Sequence, residues 1–143
     1  FITSGRYKKL VERKTACPVH TRETARATRT PRAGHLVHKE RIMYRVLDDK
    51  PGYKVKELVI EPGKSLSMQR HTYRSEHWYV LKGECLIKTE WDNRLEKQTI
   101  NTNQTYTIDK TVWHQGCNET TEPCHVLEVQ YGEKCIEEDI ERK

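Results

Sequence analysis

Gln69, His71 and Glu76 place an amide, an imidazole and a carboxylate within one short stretch, GKSLSMQRHTYRSEHWYVLKG, that runs from Gly63 to Gly83. A second imidazole, His114, lies far downstream and is followed four residues later by Asn118. Nitrogen and oxygen donors of these types suit a borderline divalent metal ion. Each residue alone would more often be an ordinary core or surface side chain. The combination is what points to a first shell of Gln69, His71, Glu76 and His114, with Asn118 as a further nearby donor. Such a set brings one negative charge, so a bound dication keeps positive charge and can act as a Lewis acid on a sugar oxygen or on water.

The elements around these residues must bring them to one face. In an extended strand, residues two apart point the same way, so Gln69 and His71 share a face. Glu76 returns to that face from the next strand if the chain turns near Arg74-Ser75. Turn residues at Pro51-Gly52, Pro62-Gly63, Lys82-Gly83, Trp91–Arg94 and 118–123 separate strand-like runs. Those runs are Tyr53–Glu61, Glu76–Leu81, Glu84–Glu90, Arg94–Ile100, Thr105–Ile108, Val112–His114 and Cys124–Tyr131, preceded by one that begins at Tyr44. In Tyr53–Glu61 apolar residues fall on both faces, as in a strand covered on both sides. Lys56 shares the face of Leu58 and Ile60, an unusual place for a cation. The tail 133–143 reads as a strand end or one helical turn. Many short strands and no long amphipathic helix indicate an all-β sandwich or barrel.

Spacing extends the argument. Gly63, Gln69, His71, Glu76 and Gly83 follow one another as in the first motif of a cupin barrel, with Gln69 where many cupins have their first His. His114 with Asn118 resembles the second motif, although Asp109 and Thr111 replace the usual Pro and Gly. More narrowly, LSMQRHTYRSEHWYVLKGE, the preceding GYKVKELVIEPG and the following HVLEVQYGEKCIEEDIER resemble the cupin domain of type II mannose-6-phosphate isomerases, often fused to mannose-1-phosphate guanylyltransferase. That resemblance implies a cupin-type β-barrel, a double-stranded β-helix or jelly roll. It also implies one divalent metal, zinc, in a Gln/His/Glu/His shell, and interconversion of mannose 6-phosphate and fructose 6-phosphate through an enediolate.

Such an isomerisation needs a general base. Lys56, inward by alternation, and Glu128, on one face with Gln130, are the candidates, against plain roles as a snorkelling amine and a hydrogen-bonded structural carboxylate. Arg74 and Arg142 are the cations for the phosphate, and Gln130 and Tyr73 complete the substrate contacts. Tyr73 stands where the family usually has a third His, and it cannot titrate near neutrality without a large shift. His77 points away from Glu76, and Trp78 shares Glu76's face as cavity wall. Two rivals remain open. One is a non-catalytic cupin that binds a sugar phosphate or regulates a partner. The other is a cupin of different chemistry, a dioxygenase or a nucleotide-sugar epimerase, and zinc in place of a redox metal would exclude the dioxygenase.

Composition bounds the rest. The chain has 143 residues, enough for one domain with a core. Residues 1–42 hold eleven Lys/Arg against three Glu, a net of +8, which leaves −3 for the remainder of a chain whose total is +5. The reading is a basic, disordered leader over 1–42, either non-native or ahead of a start at Met43, and a cupin domain over 43–143. Nucleic acid is a poor partner, because the leader lacks interleaved aromatics or a reading helix. Five cysteines without a CxxC pair argue for reduced thiols and against a disulfide framework, including a Cys117–Cys124 bridge. With no apolar run of membrane-spanning length, the expected setting is the cytoplasm. A sugar phosphate is the expected partner, and a homodimer is implied by the family alone.

Overall fold

The structure, a computed structural model, describes residues 42–143 and the backbone of Lys8–Lys9. The expected leader therefore lies outside the described residues, apart from Ile42 and that two-residue strand. Eleven strands follow in chain order: β1 (Lys8–Lys9), β2 (Ile42–Lys50), β3 (Tyr53–Ile60), β4 (Gln69–Arg70), β5 (Arg74–Lys82), β6 (Glu84–Trp91), β7 (Arg94–Asn101), β8 (Thr105–Ile108), β9 (Trp113–Cys117), β10 (Cys124–Gly132) and β11 (Glu141–Arg142). They form two antiparallel sheets, one ordered β1-β2-β3-β10-β5-β8 and the other β11-β4-β9-β6-β7. No helix among the described residues is long and apolar enough to cross a membrane.

Local chemistry explains the turns. The β6–β7 hairpin closes on Asp92 and Asn93, both with positive φ (48° and 60°), the conformation that small polar residues tolerate best. Gly83 turns β5 into β6 at φ +84°, and a Cβ there would stand 2.6 Å from the Pro123 carbonyl oxygen. The bend before β5 falls at Thr72-Tyr73, two residues earlier than expected, so Arg74 and Ser75 already belong to the strand. β2 begins at Ile42, which is buried in the core, one residue before the expected domain boundary. The tail forms the short strand β11 against β4 and no helical turn. Cys85, Cys117, Cys124 and Cys135 are free thiols, so no Cys117–Cys124 bridge exists.

The inner faces of the two sheets meet in a core of Leu58, Ile60, Val80, Cys85, Ile87, Ile100, Cys124 and Val126, closed at one side by Trp78 and Ile108. Alternation delivers these side chains inward and polar ones outward. On β3 and β10 the inward positions change character along the strand. Ile60, Leu58, Cys124 and Val126 are apolar, whereas Lys56, Lys54, Glu128 and Gln130 are polar and equally buried. The barrel therefore has an apolar end and a polar end.

Candidate metal centre and active site

The polar end is assembled by register. Gln69 on β4 lies opposite His114 on β9, so both project to the same inner face. After β4 the chain bends and enters β5, where Glu76 lies between Gln130 of β10 and Ile108 of β8. These paths bring His71, Glu76 and His114 together with their potential ligand atoms within 4.8 Å of one another. His71 Nε2 lies 2.9 Å from Glu76 Oε1, and His114 Nε2 lies 3.3 Å from Glu76 Oε2. All three residues are almost fully buried.

Hydrogen bonding on the far side of each ring decides what the near side offers. His71 Nδ1 donates to the Asp139 carbonyl at 2.7 Å, and His114 Nδ1 donates to the Val112 carbonyl at 3.0 Å. A carbonyl oxygen can only accept, so each Nδ1 carries a proton and each ring turns Nε2 toward Glu76, where the neutral form offers a lone pair to a metal. His71 Nε2, His114 Nε2 and Glu76 Oε1 are buried without a hydrogen-bond partner. With the rings neutral, three electron-rich atoms face one another, and the unpartnered Arg74 Nε comes no closer to Oε1 than 3.6 Å, so the cluster is costly unless a cation sits between them. The donor set thus fits a divalent metal ion. Gln69 flanks it, half-buried, with its amide oxygen accepting from Ser67 Oγ at 3.3 Å.

Glu76 is further held by Trp78, whose indole N–H donates to Oε2 at 3.0 Å. The indole fits because Gly116 faces it, where a Cβ would stand 2.8 Å from the ring. Burial alone would raise the Glu76 pKa, but hydrogen bonding and charge from the His114 and His71 rings, in their protonated form, outweigh it and keep the carboxyl well below 4.5. The residue is therefore an anion, as a metal ligand must be.

The two expected bases sit side by side. Glu128 on β10 pairs in register with Lys56 on β3 and with Trp78 on β5. Lys56 Nζ lies 2.7 Å from Glu137 Oε1 and 5.1 Å from the centre of the Tyr44 ring. Burial pushes its pKa down, but the Glu128 and Glu137 carboxylates push it up further, and the net shift is upward. Lys56 is thus favoured as a cation between the two carboxylates. Glu128 accepts a hydrogen bond from Gln130 Nε2 at 2.9 Å. Its burial, then the neighbouring Glu76 charge, push its carboxyl up to about 8, with Lys56 and Arg74 pulling the other way. Gln130 also presents a buried side-chain oxygen that has no partner.

The remaining expected residues divide. Arg74 is buried beneath Glu76, with Nε 3.6 Å from Oε1 and Nη1 donating to the Ile136 carbonyl at 2.6 Å. Arg142 is exposed on β11, in register with Gln69, and donates to Ser67 Oγ at 3.3 Å. Tyr73 turns its ring outward beneath Lys134 Nζ, 4.8 Å away, and contributes no group to the buried cluster. His77 faces away from the site and contacts Thr107 Oγ1 at 2.8 Å. Asn118 is not a donor to the site. Its amide nitrogen donates to the Ile60 and Glu122 carbonyls and its oxygen accepts from Thr120 N and Oγ1, so it ties the 118–123 loop to β3.

Sequence reasoning missed Asp139 and Glu137. The Asp139 carboxylate accepts from the Thr72 and Tyr73 amides at 2.9 and 3.0 Å, capping the bend that presents His71, while its carbonyl orients the same ring. Both acids lie in a charged tail with no periodic pattern, and nothing local signals their inward path. Trp78 was legible as a neighbour of Glu76 by alternation, but not as its hydrogen-bond donor.

Comparison with known proteins places this geometry. A family model described as mannose-6-phosphate isomerase C-terminal matches residues 28–143, so the match begins upstream of Met43. The chain is 33% identical to the alginate biosynthesis protein AlgA of Pseudomonas putida, over 80% of this chain and 23% of that protein. It is 33% identical to the mannose-1-phosphate guanylyltransferase of Salmonella muenchen, over 69% of this chain and 20% of that protein. The chain thus spans between a fifth and a quarter of the length of these relatives. Among solved structures, a sugar phosphate isomerase of the cupin superfamily from Silicibacter pomeroyi superposes with a TM-score of 0.56 at 19% identity, over 63% of this chain and 59% of that one. A Klebsiella pneumoniae protein with a double-stranded β-helix domain gives 0.60 at 15% identity, over 66% of this chain and 80% of that one. These structural likenesses establish the cupin-type fold expected from the motif spacing. By the family model and its fold, the chain belongs to the mannose-6-phosphate isomerase C-terminal family of cupin domains.

Proposed function

We propose that this domain is a metal-dependent sugar-phosphate isomerase that interconverts mannose 6-phosphate and fructose 6-phosphate. The observation that carries the reading is the buried set of inward lone pairs on His71, Glu76 and His114, set against the Glu128–Lys56 pair on the same inner face. Gln69, His71, Glu76 and His114 would hold one zinc ion. When bound, zinc supplies Lewis acidity toward the carbonyl of the open-chain sugar.

The rest of the chemistry falls to the chain. The Glu128 carboxylate takes the proton from C2 of the aldose and returns it to C1, while a proton moves from the C2 oxygen to the C1 oxygen. Reactant and product then differ only in where the carbonyl lies. Lys56, fixed as a cation, stabilises the negative charge of the enediolate between the two transfers. Gln130 aligns Glu128 through its amide N–H. Arg142 at the rim offers a fork for the phosphate, and Arg74 adds buried positive charge behind Glu76.

The test is an assay of the full chain, zinc-loaded, for conversion of mannose 6-phosphate to fructose 6-phosphate, beside His114→Ala and Glu128→Gln. Turnover lost in both variants, with zinc retained at one equivalent in Glu128→Gln only, is the expected result. A folded, zinc-loaded protein without turnover would overturn the isomerase reading. Turnover by Glu128→Gln at the parent rate would remove Glu128 as the base.

A further inference from the structure

On the side of the barrel away from Glu128, the sheets end in two strands that are not joined to each other, β7 and β8. Between them lies a cleft of about 350 Å³. Its walls continue the inner faces of the sheets. Thr89 and Trp91 follow Cys85 and Ile87 inward along β6, and Glu96 and Arg94 lie opposite them on β7. Tyr106 and Ile108 face them from β8, in register with Trp78 and Glu76. Asp109 lies at the mouth.

In a two-sheet fold, inward positions are filled by apolar side chains unless something else occupies the space. Here, of the polar side chains, only Thr89 is buried and Tyr106 partly so, and beyond them Trp91, Arg94, Glu96 and Asp109 stand exposed around the cleft, bringing an indole, a guanidinium and carboxylates to its rim. The side chains of Thr89, Trp91, Arg94, Glu96, Tyr106 and Asp109 engage no hydrogen-bond or ion-pair partner among the described residues. Trp91 is 60% exposed, and Tyr106 opposite it packs its ring against the core. The charges also select a ligand class. One cation against two carboxylates disfavours a phosphate or other anion, while carboxylates and hydroxyls pair well with the hydroxyls of a polyol. Aromatic faces favour a flat, partly apolar ring face.

From this geometry we propose that the cleft between β7 and β8 binds an uncharged pyranose ring, with Trp91 and Tyr106 as its platform and Thr89, Arg94, Glu96 and Asp109 as its hydroxyl partners. The site rests on none of the metal ligands and stands or falls separately from the isomerase. It does adjoin them, because Thr89 is in register with His114 and Ile108 with Glu76.

The test is a titration of the full chain with methyl α-mannopyranoside, followed by two-dimensional NMR of backbone amides and tryptophan indoles, with inorganic phosphate in a parallel titration. Saturable shifts at the Trp91 indole and the Tyr106 amide, unchanged by chelator or by His114→Ala, are expected, with no saturation by phosphate. Trp91→Ala should weaken the midpoint on the order of ten-fold, and Glu96→Gln by less. Competition by mannose 6-phosphate would identify the ring as the body of the reacting sugar, and its absence would identify a separate saccharide. Either result supports the cleft. No saturable shift at Trp91, or shifts indifferent to both substitutions, would overturn it.

Discussion

The two ends of one barrel interior differ in what keeps them together. At the apolar end Leu58, Ile60, Val80 and Val126 are buried because leaving water is favourable, and their partners are interchangeable carbon atoms. At the polar end Lys56, Arg74, Glu76, Glu128 and Gln130 are buried on the same strands, with His114 on β9, at a cost in desolvation that only specific partners offset. Five atoms at that end, His71 Nε2, Arg74 Nε, Glu76 Oε1, His114 Nε2 and Gln130 Oε1, have no hydrogen-bond partner among the described residues. One end stabilises the fold, and the other draws on that stability to hold groups where folding alone would not put them.

That contrast can be broken by separating stability from metal affinity. Leu58→Ala should lower unfolding free energy by about 2–5 kcal/mol while leaving the affinity of the folded protein for zinc unchanged. Denaturant titration and competition with a zinc-binding dye measure the two quantities. If zinc affinity falls in parallel, the two ends are one cooperative unit and the distinction fails. Asp139→Asn should do the reverse. The amide offers one acceptor to the two backbone N–H groups of Thr72 and Tyr73, and the displaced bend carries His71 with it. Zinc affinity should drop about 10–100-fold, with a smaller change in unfolding free energy.

Acid offers a subtler probe of the polar end. Burial alone would raise Glu137, but Lys56 lowers it below 4.5 on balance. Its folded pKa is depressed, so the associated stability is present above 4.5 and is lost as pH falls through the folded value. Its side chain is half exposed, and solvent screening limits the effect to about 1 kcal/mol or less. Glu137→Gln should therefore destabilise the protein slightly at neutral pH and not at all in strong acid, as read from thermal unfolding across pH. The smallest effect is expected outside the barrel. Arg70 and Lys143 each stand 4.7 Å from the Trp113 ring centre, and Arg70→Ala should cost about 0.5–1 kcal/mol without changing zinc affinity.

The legible part of this molecule was the part written in local patterns. Alternation along Tyr53–Ile60 announced Lys56 as an inward cation, and the pairing of Asp92 with Asn93 announced a hairpin. The spacing of Gln69, His71 and Glu76 announced a metal set, of which His71 and Glu76 meet His114 in the buried cluster. What stayed hidden depended on contacts distant in sequence. The partner of Lys56, Glu137, comes from the far end of the chain. Asn118 looked like a donor because of its spacing from His114, yet its hydrogen bonds all go to backbone groups and Thr120 in and near its own loop. The orientation of His71 came from a main-chain carbonyl at Asp139, and a carbonyl leaves no trace in residue type.

The tail that supplies those distant contacts has a consequence for truncation. Strands β2 to β10 lie before residue 133, but the carbonyl that fixes His71, the carboxylates that cap its bend and neutralise Lys56, and β11, which pairs with Gln69 at the edge of its sheet, all follow. A chain interrupted after Gly132 would therefore keep β2 to β10 and lose the contacts that orient His71 and pair with Lys56. Such an interruption would part the barrel from the candidate centre it carries, leaving the strands in place and the His71 bend without its cap.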